Sequence, residues 1–144
     1  MGGMVSRGIY CLCIIIEADV AVRIGALGRL VFPRSCYVYV GSAMNGMEAR
    51  VRRHLKTATG SPGKVHWHID YLLKEPEVSV KAVYTVTSGE RMECVVANAL
   101  SKHGQPVRRF GCSDCHCESH LFVVERCSIL SDLGLELSPT SAFI

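Results

Sequence analysis

A chain of 144 residues that is 49% hydrophobic and 20% charged is too apolar to remain disordered and is most economically read as one domain. A domain of this size buries about 68–70% of the surface that its unfolded chain exposes, so a core can form without disulfide staples. The net charge of +3 is too small to indicate a nucleic-acid binder by itself, and no apolar run is long enough to span a bilayer.

From Gly8 to Ile16 the residues are apolar on both alternating sets, Ile9/Cys11/Cys13/Ile15 and Tyr10/Leu12/Ile14/Ile16. A strand covered on both faces has this pattern, and a central position is expected. Arg7 is the only cationic flank and no small-residue cleavage site follows, which argues against a signal peptide and for a cytoplasmic protein. The eight cysteines are then expected to be reduced thiols or metal ligands and not a disulfide framework, unless the cell is a hyperthermophile.

"VAVRIGALGRLVF" places two short apolar runs around Gly25 and Gly28, a hairpin occupying about residues 20–33, and Pro33 closes it before the strand "CYVYVG". The next helix is expected to be capped by Asn45, with Glu48 three residues on completing an approximate capping box. Met47, Val51 and Leu55 form its buried stripe, and Arg50 with His54 borders that stripe. Between Arg50 and Lys64 lie Arg50, Arg52, Arg53, Lys56 and Lys64 with no acidic residue among them, the one basic patch of the chain.

"HWHIDYLLK" reads as a short helix that stops before Pro76. His66 and Asp70 fall one turn apart on it as an orienting or ligand pair, while Trp67 is available to stack on a base and His68 to border a nucleic-acid groove. "EVSVKAVYTV" alternates as a strand. "ERMECVVANALSKHG" follows as a helix with Met92, Val95, Val96 and Ala99 inward, "HLFVVE" as a last short strand, and "SPTSAFI" as a loosely ordered tail. The sum is an α+β fold, a small, mainly antiparallel sheet flanked by helices.

"GIY" at Gly8–Tyr10, "YVG" at Tyr39–Gly41, Arg50 and His54 on the next helix and Glu93 on a later one together resemble the GIY-YIG nuclease superfamily. "RVRRH", "HWHIDYLL" and "GCSDCHCESHL" are similar to an archaeal-type branch of uncertain function, sometimes fused to endonuclease III-like repair enzymes. The resemblance implies a metal-dependent endonuclease acting on DNA in repair. Glu93 would bind Mg²⁺ or Mn²⁺, Arg50 would hold the scissile phosphate or its developing charge, and Tyr10, with Tyr39 and His54 nearby, would handle the attacking water. Gly8 and Gly41 would be turn glycines, with Gly41 admitting substrate.

The chemistry asked of each residue type agrees with these roles. A guanidinium grips two phosphate oxygens, and a hard cation prefers carboxylate. Tyrosine, with an ordinary pKa of about 10, acts as a base at neutral pH only if Arg50 or a metal lowers it. Two departures stand out. Twenty-eight residues separate Tyr10 from Tyr39, a longer spacing than the superfamily commonly shows, and Asn98 lies only five residues beyond Glu93 on the same helix, so the role of the superfamily's polar residue after the glutamate is not transferred to it.

"CSDCHCESH" offers Cys112, Cys115, Cys117 and His120 as candidate zinc ligands, although their spacing is compressed for a zinc site. Two alternatives to the nuclease therefore stay open. One is a catalytically inactive DNA-binding module that positions a repair enzyme, and the other is a zinc- or thiol-stabilised interaction protein.

Overall fold

The computed structural model describes residues 7–43, 46–60, 67–87, 93–111 and 119–143. Gly8–Ile16 forms β1, buried almost throughout because neither alternating set of its side chains is polar. Val20–Arg23 (β2) and Arg29–Phe32 (β3) pair as a separate two-stranded ribbon, joined by a 3-10 turn at Gly25–Leu27. Ser35–Ala43 (β4) returns along β1 in antiparallel register, and Val78–Thr87 (β5) pairs with the other edge of β1, with a register shift at Cys13/Ile14.

The remaining strands are short. Gly104–Pro106 (β6), Leu121–Val124 (β7) and Glu136–Ser138 (β8) complete a six-stranded antiparallel sheet in the order β6-β7-β4-β1-β5-β8. The helices are Met47–Ala58 (α1), His68–Leu73 (α2), Glu93–Leu100 (α3) and Ile129–Asp132 (α4). The α+β architecture and the inserted ribbon expected from the sequence are both present.

The side-chain period of two along β1 divides the core. Tyr10, Leu12, Ile14 and Ile16 face a cluster containing Met47, Val51 and Leu55 of α1, Ile69, Leu72 and Leu73 of α2, and Val22, Ile24 and Phe32 of the ribbon. Ile9, Cys11 and Cys13 face the opposite cluster, with Val96, Ala97 and Leu100 of α3 and Leu130 of α4. Fully burying an aliphatic side chain of this size stabilises by about 1.5–3 kcal/mol, so both faces hold the sheet.

Four local expectations need correction. Gly46, in the left-handed conformation at φ 72°, holds the cap position before α1, and among the described residues no side chain caps the helix; Asn45 lies outside the described residues. Val95 is 59% exposed and Ala99 half-buried, because α3 presents Val96, Ala97 and Leu100 to the sheet; Met92 lies outside the described residues. The tail is docked. Glu136–Ser138 adds a strand beside β5, Phe143 is buried, and Arg52 Nε donates to the Phe143 carbonyl at 2.9 Å. Last, Cys13 and Cys127 are joined by a disulfide between Cα atoms 5.9 Å apart, where reduced thiols were expected.

Candidate active site

The two tyrosine motifs meet across neighbouring strands. Tyr10 on β1 lies opposite Gly41 on β4, and Tyr39 lies opposite Leu12, so both tyrosines fall on the same face of the sheet. Gly41 is not a turn residue but sits inside β4, and Gly8 begins β1 instead of turning. A Cβ on Gly41 would lie 2.3 Å from Tyr10 Cζ, so the glycine of "YVG" makes room for the tyrosine of "GIY". Its bare backbone holds an aromatic ring and does not open a path for substrate.

Helix α1 supplies the partner. His54 projects into the core from the side of α1 next to its apolar stripe, and its Nε2 is 2.8 Å from the Tyr10 hydroxyl. His54 is 1% exposed, so it belongs to the floor of the site and not to a rim. Its ring packs against Tyr10, Tyr39 and Trp67 at centroid distances of 5.5, 6.1 and 5.8 Å.

Burial controls the protonation of the pair. Desolvation pushes the Tyr10 phenol well above its ordinary value, and Tyr39 adds to the rise, while Arg50 pulls the other way. The expectation that Arg50 lowers the Tyr10 pKa enough for neutral-pH base chemistry is therefore corrected, because burial outweighs the guanidinium. Desolvation likewise lowers His54 from 6.5 to about 4, with Asp70 opposing it and Arg53 and Arg50 reinforcing it. At neutral pH a neutral phenol faces a neutral imidazole. A neutral phenol is the better donor and an imidazole nitrogen the better acceptor, so we assign the Tyr10 proton to the bond with His54 Nε2. That leaves the ring proton on His54 Nδ1, which has no partner among the described residues.

The basic helix divides its charges among different tasks. Arg50 Nη1 donates to the Ser42 carbonyl at 2.8 Å, next to Gly41, and its Cζ lies 5.1 Å from the Trp67 ring centroid. Arg53 covers Trp67 more closely, at 4.4 Å, and forms an ion pair with buried Asp70 at 3.1 Å. Asp70 therefore pairs with Arg53, and it also accepts the Trp67 backbone N–H at 2.9 Å as the cap of α2. His66 and Lys64, the other residues expected in this region, lie outside the described residues. Arg52 is engaged by the tail, and Lys56 is exposed. Trp67, expected as an open stacking platform, is half-buried and carries two guanidiniums.

The far side of the site is built by residues beyond β5. His68 Nδ1 accepts the Gly111 N–H at 2.9 Å, and Phe110 packs edge-on against Tyr39 and His68. Gly111, at φ 76°, brings its backbone so close to His120 that a Cβ there would lie 3.1 Å from His120 Cβ. Glu93, half-buried in the first turn of α3, acts on His120, raising its pKa against the stronger lowering by burial. Among the expected zinc ligands only His120 is described; Cys112, Cys115 and Cys117 lie outside the described residues.

The structure thus brings Tyr10, Tyr39, Arg50, His54 and Trp67 together on the α1 side of the sheet, whereas Glu93 begins α3, which packs on the opposite side, and acts through its charge on His120. Glu93 is a half-buried carboxylate, the ligand type that a hard cation prefers. Sequence reasoning missed Arg108, Arg109 and Phe110. Arg108 and Arg109 are exposed and directly precede Phe110, whose ring packs on Tyr39, and Arg109 adopts φ 65°. Their signal was the basic pair before an aromatic and a glycine in "VRRFG".

Comparison with known proteins supplies a family. Residues 9–137 match the model of DUF123, a domain of unknown function, and the chain belongs to that family. No curated protein and no solved structure gives a significant match. Among the described residues no helix is long and apolar enough to cross a membrane.

Proposed function

With membership of DUF123 as the premise, we propose that this chain is a divalent-metal-dependent endonuclease of the GIY-YIG type, acting on DNA in repair. The observation that supports this most is the unit formed by the two tyrosine motifs and α1. Gly41 makes room for the Tyr10 ring, Tyr10 bonds His54 at 2.8 Å, and the Arg50 charge reaches the phenol. Residues separated by 44 positions are locked together around polar atoms, which a purely structural core has little reason to gather.

In this reading Arg50 leaves the Ser42 carbonyl to grip a phosphate, since a charge-assisted bidentate contact is stronger than one neutral acceptor. Arg108, Arg109 and Lys56 hold the flanking backbone. Tyr10 and Tyr39 orient the attacking water by hydrogen bonding, and His54 fixes the Tyr10 hydroxyl. Glu93 would hold Mg²⁺ or Mn²⁺, which when bound supplies Lewis-acid stabilisation of the charge developing on phosphate.

One observation favours a second reading, a catalytically inactive DNA-binding partner of an endonuclease III-like repair enzyme. Burial keeps Tyr10 protonated in the free protein, which is unfavourable for a base. The test is cleavage of plasmid and branched DNA by purified protein with Mg²⁺, beside Glu93→Ala and Arg50→Ala. Cutting by the wild type, none by Glu93→Ala, and a loss of about 100-fold or more in kcat for Arg50→Ala with modest change in binding support the nuclease. Salt-sensitive binding without cutting by any of the three selects the binding module. Neither cutting nor binding leaves the zinc- or thiol-stabilised interaction protein.

A further inference from the structure

On the sheet face opposite Tyr10, three cysteines converge. Cys13 on β1 and Cys36 on β4 lie on the α3 side of the sheet, and Cys127 joins them from the segment between β7 and α4. All three Sγ atoms lie within 4.8 Å of one another. Cys13 and Cys127 are bonded, and Cys36 Sγ is 3.1 Å from Cys127 Sγ. A structural disulfide needs two sulfurs, so a third one in contact with it calls for its own explanation.

We propose that the reduced chain binds Zn²⁺ through the thiolates of Cys13, Cys36 and Cys127, at a site independent of the nuclease reading. Zinc prefers thiolate, and Zn–S bonds of about 2.3 Å in a tetrahedron set sulfurs roughly 3.8 Å apart, a spacing inside the 4.8 Å that already spans these three Sγ atoms. Charge also fits. Three thiolates and one Zn²⁺ leave a net charge of about −1. Cys36 is only half-buried, so its side of the site is open to a water or an exogenous thiol as the fourth ligand.

The Cys13–Cys127 disulfide is the oxidised, metal-free form of the same site. A small dithiol opens it by two successive exchanges. The S–S bond breaks, the dithiol leaves as its own cyclic disulfide, and its two protons pass to the cysteine sulfurs. Zinc then displaces the protons of the three thiols.

The experiment compares full-length wild type with Cys36→Ser. Each is reduced with dithiothreitol without oxygen, incubated with zinc chloride, desalted and assayed for zinc, and the same is repeated in a background carrying Cys112→Ser, Cys115→Ser and Cys117→Ser. Wild type should retain one zinc more per chain than Cys36→Ser in both backgrounds. Alkylation mapping should show Cys13, Cys36 and Cys127 becoming protected on zinc addition. Formation of the Cys13–Cys127 bond in air-oxidised Cys36→Ser checks that the variant folds, and Cys36→Ala serves as a second variant if it does not. Equal zinc in wild type and the folded variant, or no zinc-dependent protection of these three cysteines, overturns the proposal.

Discussion

The two faces of β1 differ more than their shared hydrophobicity suggests. The α1 side carries Tyr10 against Gly41 and His54, a set of polar atoms closed into a core by burial. The α3 side carries Cys11 and Cys13, with sulfur chemistry and, among the described residues, no hydrogen-bonded ring network around them. A one-residue step along a strand moves a side chain from one face to the other, so adjacent letters in "YCLC" serve separate chemistries. The lesson is that the two faces should be separable by experiment.

The largest effect is expected on the thiol face. The disulfide closes a loop with a sequence separation of 114. Reduction in the absence of zinc should lower stability by about 4–5 kcal/mol on the chain-entropy account, measured by urea denaturation. It should leave the acid titration of His54 on the other face in place. A shift of that titration on reduction would break the separation.

Slightly smaller is Asp70→Ala on the site face. It strands the Arg53 guanidinium and uncaps α2, and removing one partner of a buried pair costs about 3–5 kcal/mol. Because Arg53 is about one-third exposed, the lower end is expected. Equilibrium denaturation measures it, and a change below about 0.5 kcal/mol would place this pair with ordinary surface bridges.

Next comes pH. His54 titrates near 6.5 in the unfolded chain and at about 4 in the folded one, because burial penalises the imidazolium. Between these values the unfolded state binds more protons, so the contribution is fully present above pH 6.5 and is lost as pH falls toward 4. The loss should reach a few kcal/mol, at roughly 1.4 kcal/mol for each step of one in pH across that window. His54→Gln should flatten this segment of the stability profile, and an unchanged profile would assign the acid sensitivity elsewhere.

Gly41→Ala is expected to cost about 1–3 kcal/mol through overpacking against the Tyr10 ring. Since the clash includes Cζ and Cε2 as well as the hydroxyl, Tyr10→Phe should not rescue it, whereas Tyr10→Ala in the same chain should reduce the penalty. Rescue by Tyr10→Phe would show that the hydroxyl alone limits the space.

Much of the scaffold was legible from period and turn chemistry. β1 shows itself by apolar residues on both alternating sets, the ribbon by Gly25 and Gly28, and the buried face of α1 by Met47, Val51 and Leu55. What was not legible depended on contacts distant in sequence. His54 looked like a rim residue because periodicity cannot show that Trp67 and two tyrosines cover it. Asp70 looked like a partner for His66 because spacing on one helix is visible and Arg53 on another is not. The tail looked loose because Phe143 finds its pocket only once the sheet exists. The pairing of Cys13 with Cys127 has no local signal at all.

The two outer strands of the sheet, β6 and β8, are three residues each, whereas the three central strands run nine or ten. An outer strand is where a sheet offers unpaired amides and carbonyls to another chain. A three-residue strand also shields only part of the longer one beside it: β8 pairs with Val83–Thr85 of β5, and among the described residues no strand covers the outer edge of Val78–Ala82. The tapering thus keeps the outermost rims short while leaving the first half of β5 as the stretch of edge where another chain would have the most backbone to pair with.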